Sequence, residues 1–350
     1  MGIHLSSLVE PTQITVEELK GKKVAVDAFN WIFQFITTIR GYDGEPLKDS
    51  KGRITSHLSG LFYRNINLIE NGVKLIYVFD GEPPDFKRKE IERRKEVREN
   101  ARKEWINAVE EGRTEDALKY AKRSATLDDE MLKSSRQLLE AMGIAVVQAP
   151  SEGEALASHI VRNNDAWCIG TQDFDALLFG ATRTVRNLSI SGKRKYGKTE
   201  YTNTEPQLLV LKDFLDKLEL THDQLITLGI LVGTDYNQGG VKGYGPAKAL
   251  KLVKEKKTFE KVMEGLDWQF DIPADDIFQF FKHPTIGDYK INFPEVDENK
   301  IRKILSDHEF SEDRINNGIK RLKGEVVKKT KKGAKPEVGK QSSLTKFSLK

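Results

Sequence analysis

The fold is decided by residues 144–161, Ile144-Ala-Val-Val-Gln-Ala-Pro150-Ser-Glu152-Gly-Glu154-Ala-Leu-Ala-Ser-His-Ile-Val161. Residues 144–147 are apolar and mostly β-branched, which predicts a short buried strand, and residues 155–163 have the spacing of a helix. Similar strands are predicted at 24–26, 75–79 and 167–169, with a weaker fifth at 184–188. Strands that alternate with helices predict an α/β fold, with a parallel sheet that helices cover on both faces.

Further helices are predicted on either side of these strands. They are expected at 28–40, 56–71 and 130–142, and toward the C-terminus at 208–218, 223–232 and 247–256. No apolar run approaches the roughly 18 residues that a membrane span needs, and the N-terminus lacks the pattern of a secretory signal. Cys168 is the single cysteine, which indicates a reducing compartment. We therefore expect a cytoplasmic protein that does not associate with membranes.

The positive charge of the chain is concentrated at its C-terminus. Residues 318–350 contain eleven Lys/Arg and two Glu, a charge of +9, whereas the whole chain carries +4, which leaves −5 for the rest. Global charge therefore does not predict nucleic-acid binding, and local patches would have to provide it.

Seven acidic residues have the context of a site, and most of them follow a predicted strand. They are Asp27, Asp80, Glu152, Glu154, Asp173, Asp175 and Asp235. Ligands bind outside the carboxyl ends of the strands in an open α/β sheet, so these side chains are expected to converge. Oxygen-only ligands suit Mg²⁺ or Mn²⁺, and two such ions can drive cleavage of a phosphodiester bond.

Each acid also has a simpler interpretation when it is taken alone. Asp27 or Asp80 can cap a helix N-terminus, and Ser151 with Glu154 has the spacing of a capping box. A capping box does not account for Glu152, or for a second pair of acids after the next strand. The combined pattern favours a multi-metal site. The six histidines show no metal-ligand spacing, which argues against zinc.

Residues 81–132 interrupt the alternation of strands and helices. Within them, residues 85–104 contain nine Lys/Arg and six Asp/Glu with few apolar side chains, so this stretch is not a core helix. One interpretation is a solvated helix with i,i+4 ion pairs such as Glu90–Arg94. The other is an insertion that projects over the sheet and meets a polyanion.

A glycine-rich loop joins two of the predicted helices, and reads Gly233-Thr-Asp-Tyr-Asn-Gln-Gly-Gly-Val-Lys242-Gly243-Tyr-Gly245-Pro246. Glycines let a phosphate approach the backbone, and the amides of a helix N-terminus bind it. Lys242 and Lys248 add positive charge. The alternative is an ordinary loop between helices. A nucleotide-binding P-loop is excluded, because no strand precedes the loop and Gly-x4-Gly-Lys-Ser/Thr is absent.

Five motifs together resemble the flap endonuclease family of structure-specific 5′-nucleases, most closely its archaeal members. The motifs are Val-Asp27-Ala-Phe-Asn, Phe-Asp80-Gly-Glu-Pro-Pro, Ala-Pro-Ser-Glu152-Gly-Glu154-Ala, Gln-Asp173-Phe-Asp175-Ala-Leu-Leu-Phe-Gly and Gly-Thr-Asp235-Tyr-Asn. The resemblance implies a parallel-sheet, PIN-like nuclease core, a helical arch and a helix–two-turn–helix DNA-binding motif. It also implies that the seven acids hold two Mg²⁺ ions, which Mn²⁺ can replace. Lys87 and Arg94 match a basic pair that contacts the scissile phosphate, and their spacing places them on one helix face.

The function implied is a 5′-flap endonuclease with 5′–3′ exonuclease activity on branched DNA. Its expected roles are maturation of Okazaki fragments and long-patch base excision repair, and we expect a monomer. The expected DNA contacts are Gly2, Phe33, Arg40, Arg64, Lys242, Gly243, Gly245 and Lys248, with a K⁺ ion at the helix–two-turn–helix. The expected regions are 1–80 (N-terminal nuclease), 81–132 (arch), 133–232 (internal nuclease), 233–256 (DNA-binding motif), 257–325 (C-terminal helices) and 326–350 (flexible basic tail).

The sequence departs from the family pattern in three places. Phe33 stands where many relatives have Tyr, although base stacking survives the loss of a hydroxyl. Ala247 lies where eukaryotic relatives often have a basic residue. In the tail, residues 341–348 resemble a sliding-clamp-binding box through Gln341, Leu344 and Phe347. Ser348 replaces its usual second aromatic residue, which predicts weakened clamp binding.

Three alternatives to a flap endonuclease remain. Two are enzymes on the same core, a 5′–3′ exonuclease and a bubble-cutting nuclease. The short interruption at 81–132 argues against a bubble cutter, because relatives of that kind carry a far longer insertion at this place. The third is a non-catalytic scaffold at DNA junctions, which would gain nothing from concentrated negative charge facing phosphate.

Overall fold

The computed structural model describes residues 5, 7–8, 10–41, 45–113, 116, 119–120, 125–190, 192–196 and 200–325. Gly2 and the three clamp-box residues Gln341, Leu344 and Phe347 lie outside the described residues, as does the tail at 326–350. No helix within the described residues is both long and apolar enough to cross a membrane.

The centre of the protein is a seven-stranded sheet in the order β1-β9-β6-β5-β2-β3-β4. Its strands are β1 (Thr12–Gln13), β2 (Lys23–Asp27), β3 (Lys74–Phe79), β4 (Ala145–Gln148), β5 (Cys168–Gly170), β6 (Arg183–Arg186) and β9 (Gln207–Val210). The five strands from β6 to β4 are parallel, as the sequence predicted. Two further strands, which the sequence did not predict, make one edge of the sheet antiparallel, because β9 runs antiparallel to β6 and β1 antiparallel to β9.

A two-stranded antiparallel hairpin, β7 (Gly192–Tyr196) with β8 (Glu200–Thr204), precedes β9. It lies outside the main sheet and was not predicted. The strand β6 ends at the carboxyl edge of the parallel strands, and β9 begins at the same edge. The hairpin between them is therefore joined to the sheet at this edge.

The helices of the described residues follow the predicted pattern closely. They are α1 (Ala28–Thr38), α2 (Ser56–Glu70), α3 (Arg88–Glu110), α4 (Asp129–Ala141), α5 (Gly153–Arg162), α6 (Asp175–Leu178), α7 (Leu211–Leu218), α8 (His222–Val232), α9 (Pro246–Lys256), α10 (Phe259–Met263), α11 (Ala274–Lys282), α12 (Glu298–Asp307) and α13 (Glu312–Leu322). The helix predicted at 208–218 was wrong in its first turn. Leu208 and its neighbours belong to β9, which pairs with β6, and α7 begins only at Leu211. Side-chain pattern alone does not show that an edge strand will be paired there.

Helices cover both faces of the sheet, as predicted. Successive residues of a strand point to opposite faces, so Val24 and Val26 lie in one core and Ala25 lies in another. The first core is closed by α1, α2 and α4, and by α12 and α13, which return from the C-terminus. The second is closed mainly by α5. A third core unites α7 to α11 beside the sheet.

Candidate active site and DNA interface

The predicted acids gather along the carboxyl edge of four adjacent strands. Asp27 is the last residue of β2, and Asp80 follows the last residue of β3. Glu152 lies beyond the end of β4, and Asp173 lies beyond the end of β5. The chain leaves β2 toward β3 on one side, whereas β5 pairs with β2 on the other. Asp27 and Asp173 therefore flank a switch point, where ligands bind in folds of this class.

Asn30 connects the two acids at the switch point. Its backbone N–H donates to Asp27 Oδ1 at 3.0 Å, which makes Asp27 the N-cap of α1. Its side-chain Nδ2 donates to Asp173 Oδ2 at 2.9 Å. The capping interpretation of Asp27 was therefore correct, and it does not exclude a second role, because a carboxylate has lone pairs beyond the one used by the cap.

Asp80, which follows β3, caps α5, the helix that comes after β4. The backbone N–H of Gly153, the first residue of α5, donates to Asp80 Oδ1 at 2.5 Å. A Cβ at position 153 would lie 2.6 Å from the same oxygen, so only glycine permits this approach. The alternative interpretation of Ser151 and Glu154 as a capping box does not hold, since Glu152 is the N-cap of α5 and its own side chain makes no capping hydrogen bond.

The crowding of carboxylates raises their proton affinity. Burial, and next the charge of Asp80, raises the pKa of Asp27 to about 8. Burial and the charge of Glu152 raise the pKa of Asp80 to about 6. Burial and the nearby Asp175 carboxyl raise the pKa of Glu154 well above its ordinary value. Each of these groups would be easier to ionise beside a cation.

The two predicted catalytic cations, one just before α3 and one within it, contact acids of this set. Lys87 Nζ lies 2.5 Å from Glu152 Oε2, with both side chains less than 15% exposed (14% and 12%). Arg94 Nη2 lies 2.7 Å from Asp235 Oδ2. Burial acts against the charge of Lys87, but the carboxylates of Glu152, Asp80 and Asp235 together outweigh it and raise the pKa of the ammonium above its ordinary value.

Asp235 belongs to a turn that buried side chains hold in shape. Asn237 Oδ1 accepts from Thr234 Oγ1 at 2.8 Å, and Asn237 Nδ2 donates to the Ile230 carbonyl at 2.6 Å. Tyr236, the next residue after Asp235, is buried and packs edge-on against Phe86. Lys87 lies 5.8 Å above the Tyr236 ring. The turn thus forms a platform under the start of α3.

The glycine-rich loop combines glycines that the fold requires with one that it does not. Gly240 has φ +65°, and a Cβ there would lie 2.3 Å from the Leu231 carbonyl. Gly243 has φ +85°. Gly245, the N-cap of α9, has φ −74° and ψ 172°, and a Cβ there would meet no atom within 4 Å. Neither the backbone conformation nor crowding by the described residues therefore requires glycine at position 245.

The other predicted DNA contacts lie on accessible surfaces. Lys242, Gly243, Gly245, Lys248 and Arg64 are exposed, whereas Phe33 and Arg40 are half-buried. Lys248 Nζ lies 4.5 Å from the centre of the Tyr244 ring, and the guanidinium of Arg98 lies 5.9 Å from the centre of the Phe33 ring. The helix pair α8–α9 around this loop matches the predicted helix–two-turn–helix.

The donor set of the acidic edge fits divalent cations. All seven candidate ligands supply carboxylate oxygens, which Mg²⁺ and Mn²⁺ prefer. Glu154 Oε1 and Asp235 Oδ1 are buried and have no hydrogen-bond partner in the described structure. Within the described ranges, no three His, Cys, Asp or Glu side chains already have the geometry of a metal site. Glu152 and Asp235 are instead paired with cations of the protein.

Two site residues were missed by the sequence reasoning. Asn30 is three residues beyond Asp27, at the position whose N–H an N-cap binds, so its placement beside the cap was accessible. That its side chain would cross to Asp173 was not accessible, because this contact depends on the pairing of β2 with β5. The burial of Tyr236 could not be predicted from the loop sequence, because its contacts with Phe86 and Phe280 depend on the tertiary fold.

Proteins of known activity match nearly the whole chain. Flap endonuclease 1 of Pyrococcus furiosus is 48% identical over 351 residues, which cover 98% of this chain and 98% of that protein. The chain belongs to the flap endonuclease family. Flap endonuclease 1 of Staphylothermus marinus, another relative in this family, is 50% identical over 330 residues, 92% of this chain and 94% of that protein.

Family patterns and solved structures agree with this membership in the flap endonuclease family. The XPG N-terminal domain matches residues 1–101, and the XPG I-region matches residues 143–235. Flap endonuclease-1 from Methanococcus jannaschii superimposes with a TM-score of 0.72 at 39% identity, covering 92% of this chain and 98% of that one. The catalytic core of Rad2 with a DNA substrate has the same fold, with a TM-score of 0.65 at 23% identity over 92% of this chain and all of that one. The family is one of metal-dependent nucleases that bind DNA.

Proposed function

We propose that this chain hydrolyses a phosphodiester bond at the base of a 5′ flap in branched DNA, with two Mg²⁺ ions that Mn²⁺ can replace. The observation that carries the proposal is the gathering of carboxylates from four adjacent strand ends beside Lys87 and Arg94. Such an accumulation of negative charge is unsuited to phosphate unless cations enter it. The same site can act at a 5′ end as a 5′–3′ exonuclease.

The acids would hold the ions from the carboxyl edge of the sheet. Bound divalent cations would lower the pKa of a water and stabilise the leaving oxygen of the phosphodiester. Asp27 and Asp173 are held in orientation by Asn30, and Asp80 by the Gly153 amide. Those fixed bonds leave other lone pairs of each carboxylate for a cation. Glu152, Glu154, Asp175 and Asp235 complete the proposed ligand set.

Lys87 and Arg94 would bind the scissile phosphate and stabilise charge that develops on it. Both are ionised, since the surrounding carboxylates favour the charged form of Lys87 and arginine does not lose its proton in proteins. Their pairing with Glu152 and Asp235 keeps two cations close to the acids. When phosphate and divalent ions arrive, these cations can exchange carboxylate partners for phosphate oxygens without leaving the site.

Duplex DNA would dock on the loop between α8 and α9. The open space at Gly245 lets a phosphate approach the first turn of α9, where unpaired backbone amides favour an anion. Lys242, Lys248 and Gly243 are exposed beside it, and the same loop would hold a K⁺ ion. Arg40 and Arg64 would contact the duplex elsewhere, and Phe33 would stack on a base at the cut. Contacts of this kind select shape rather than sequence.

The clamp-binding tail, the role of Gly2 and the cellular roles are proposed without support from the contacts described above. The tail box at Gln341, Leu344 and Phe347 would bind a sliding clamp weakly, and Gly2 would lie near the site. We propose a cytoplasmic monomer that acts in Okazaki fragment maturation and long-patch repair. The division into regions at 80, 132, 232, 256 and 325 stays a prediction. Support for the replication and repair roles comes from membership of the family.

The proposal is tested by measuring which DNA substrates the protein incises in the presence of Mg²⁺. End-labelled double-flap, nicked, bubble and blunt duplex DNA are incubated with the full chain, with EDTA as control. We expect Mg²⁺-dependent incision at the flap junction, slower removal of 5′ nucleotides from nicks, and little action on bubbles. Preferred incision of bubbles would support the alternative enzyme, and tight binding without any incision would support the scaffold.

A further inference from the structure

The amino edge of the sheet, opposite the acidic edge, is basic. Four adjacent strands lie there in the order β6-β5-β2-β3. Arg183, Lys23 and Lys74 are the first residues of β6, β2 and β3, and Trp167 directly precedes β5. Lys23 pairs with Lys74, and the N–H of Trp167 donates to the Lys23 carbonyl at 2.7 Å. These four residues therefore form one row across neighbouring strands, which are about 4.8 Å apart.

The ring of Trp167 attracts two cations of this edge. Lys22 Nζ and the guanidinium carbon of Arg183 each lie 5.4 Å from its centre. The negative face of an aromatic ring attracts a cation, so the ring offsets part of the repulsion between the two. Lys23 and Lys74 are exposed beside them. We call Lys22, Lys23, Lys74, Arg183 and Trp167 the amino-edge cluster.

The acids near the amino-edge cluster in the sequence are bonded elsewhere. Asp165, two residues before Trp167, accepts from the Tyr289 hydroxyl at 2.7 Å. Glu18 accepts from the Thr15 N–H at 2.9 Å. Within the described ranges, none of the four cations of the cluster forms an ion pair or a side-chain hydrogen bond. The cluster thus keeps its positive charge, although residues 1–317 together carry −5.

Helix dipoles account for little of this charge. The C-terminus of a helix attracts cations, and α2 ends four residues before Lys74. Lys22 and Lys23, however, follow a single turn of 3₁₀ helix, and Arg183 follows the four-residue α6. Few peptide dipoles add up in such short helices. An anion from outside the chain would compensate the remaining charge.

The composition of the amino-edge cluster favours a nucleic-acid backbone over a peptide. Its ammonium groups and its guanidinium are the groups that bind phosphate oxygens without reading sequence. A protein partner usually inserts a large apolar or aromatic anchor into a pocket. None of the large apolar side chains that are exposed among the described residues belongs to this row, and its one aromatic ring already contacts two cations of the cluster.

The amino-edge cluster is separate from the proposed cutting site. Lys23 is the first residue of β2 and Asp27 is its last, so the two edges lie at opposite ends of the same strands. Four residue steps of about 3.3 Å place their Cα atoms roughly 13 Å apart. The sheet and the helices that cover both of its faces fill the space between the two edges. A phosphate on the carboxylates therefore does not contact the cluster.

We infer that the amino-edge cluster is a second DNA-binding surface, which takes the phosphates of a duplex segment other than the one held at the cutting site. The inference goes beyond the proposed function, because binding at this edge needs neither the carboxylates nor a metal ion. One protein molecule would thereby hold two DNA segments at once.

The test asks whether protein that is already bound to a flap captures a second duplex. Double-flap DNA is immobilised for surface plasmon resonance in Ca²⁺, the full chain is bound to it, and blunt duplex is injected. The wild type should capture the duplex, with a slope of log affinity against log salt of about 0.9 per phosphate contact. Combined Lys22→Gln, Lys23→Gln and Lys74→Gln should weaken capture by at least about tenfold and lower this slope.

A second triple variant is the matched control. Lys290→Gln, Lys300→Gln and Lys303→Gln remove the same charge from exposed positions outside the cluster, and this protein should capture the duplex as the wild type does. Arg183→Gln alone should lower the salt slope by about 0.9, the value for one duplex contact. Both triple variants should incise the flap in Mg²⁺ at the wild-type rate, which verifies that they are folded.

Three results would overturn the second surface. They are a flap-bound wild type that captures no duplex, equal capture by the two triple variants, and capture of a poly-glutamate peptide in place of the duplex. The last result would assign the amino-edge cluster to an acidic protein. Failure of the wild type to incise the flap in Mg²⁺ bears on the proposed function alone, because capture of the duplex is measured in Ca²⁺.

Discussion

Asn30 Nδ2 donates to Asp173 Oδ2 at 2.9 Å, across the switch point between β2 and β5. The same residue donates from its backbone to Asp27. One residue therefore orients two candidate metal ligands that come from different strands, Asp27 through its backbone N–H and Asp173 through its side chain. Groups that orient ligands in this way typically contribute 10–100-fold to metal affinity or activity.

Replacing Asn30 by leucine should weaken metal binding. The leucine has a similar size but no donor, so Asp173 loses the bond that fixes its carboxylate. We expect the Mn²⁺ affinity, measured by electron paramagnetic resonance without DNA, to fall by roughly 10-fold or more. Asn71→Leu is the matched control, because Asn71 Nδ2 donates to the Asn67 carbonyl of α2, far from the acids in the sequence. Equal affinity of Asn30→Leu and Asn71→Leu would show that Asn30 does not position the ligand.

Removal of either cation at the site should slow incision much more than it weakens binding. For Lys87→Ala and Arg94→Ala we expect rate losses of about 10²–10³, the usual effect of removing one group that stabilises a transition state. Single-turnover cleavage gives the rate, and anisotropy in Ca²⁺ gives the affinity. If affinity falls as far as the rate does, these residues only bind the DNA.

Two glycines of the DNA-binding loop should respond differently to alanine. Gly245→Ala should change the free energy of unfolding by less than about 0.5 kcal/mol, because the added Cβ meets nothing and the backbone suits any residue. It should still weaken duplex binding, because the methyl group occupies the space proposed for a phosphate. Gly240→Ala should cost about 2 kcal/mol or more, from positive φ and a contact with a carbonyl. Undiminished DNA affinity in Gly245→Ala would remove the argument for phosphate at that position.

Stability without metal should fall as pH rises from 6.5 to 8. The pKa of Asp27 is raised to about 8 in the folded state, so the folded protein holds a proton that the unfolded chain has lost. Stability from a raised carboxyl pKa is present below the unfolded value and is lost as pH rises through the folded value. His57, whose pKa burial lowers to about 3, acts in the opposite direction only below about pH 6.5.

Asp27 alone contributes one proton per molecule, about 1.4 kcal/mol per pH unit, or roughly 2 kcal/mol over the window. Glu154, whose pKa burial also raises, acts in the same direction. Urea unfolding in EDTA measures the pH dependence, and Asp27→Asn should reduce its slope. Mg²⁺ should restore stability at pH 8, because it binds the ionised carboxylates. A metal-free protein whose stability rises across this window would contradict the charge crowding at the site.

Much of this architecture was accessible from the sequence because it depends on local pattern. The parallel strands from β2 to β6 and the helices between them have strong apolar periodicity, and the acids follow strand ends. Edge strand β9 was missed because Leu208 and Leu209 suit a helix equally well and the pairing with β6 is non-local. The capping-box alternative at Ser151 does not hold because α5 begins one residue later, with Glu152 at the N-cap and with Asp80, from another strand, accepting from the amide of Gly153.

The position of the acidic site could be predicted from the sequence, but the ion pairs within it could not. That Lys87 would meet Glu152 and that Arg94 would meet Asp235 depends on where α3 begins relative to two remote segments. No spacing in the sequence encodes such a distance. The family resemblance supplied the pair of cations, and the structure shows the acids that they contact.

The central claim is that the carboxylates of the strand ends hold the ions that cleave DNA, and Asp173→Ala tests it most directly. Incision of a labelled double flap in Mg²⁺ is compared with binding of the same flap in Ca²⁺, for the wild type and for this variant. We predict that the variant loses incision by at least about 10³-fold while its flap affinity stays within a few fold. Incision by Asp173→Ala at close to the wild-type rate would contradict the assignment.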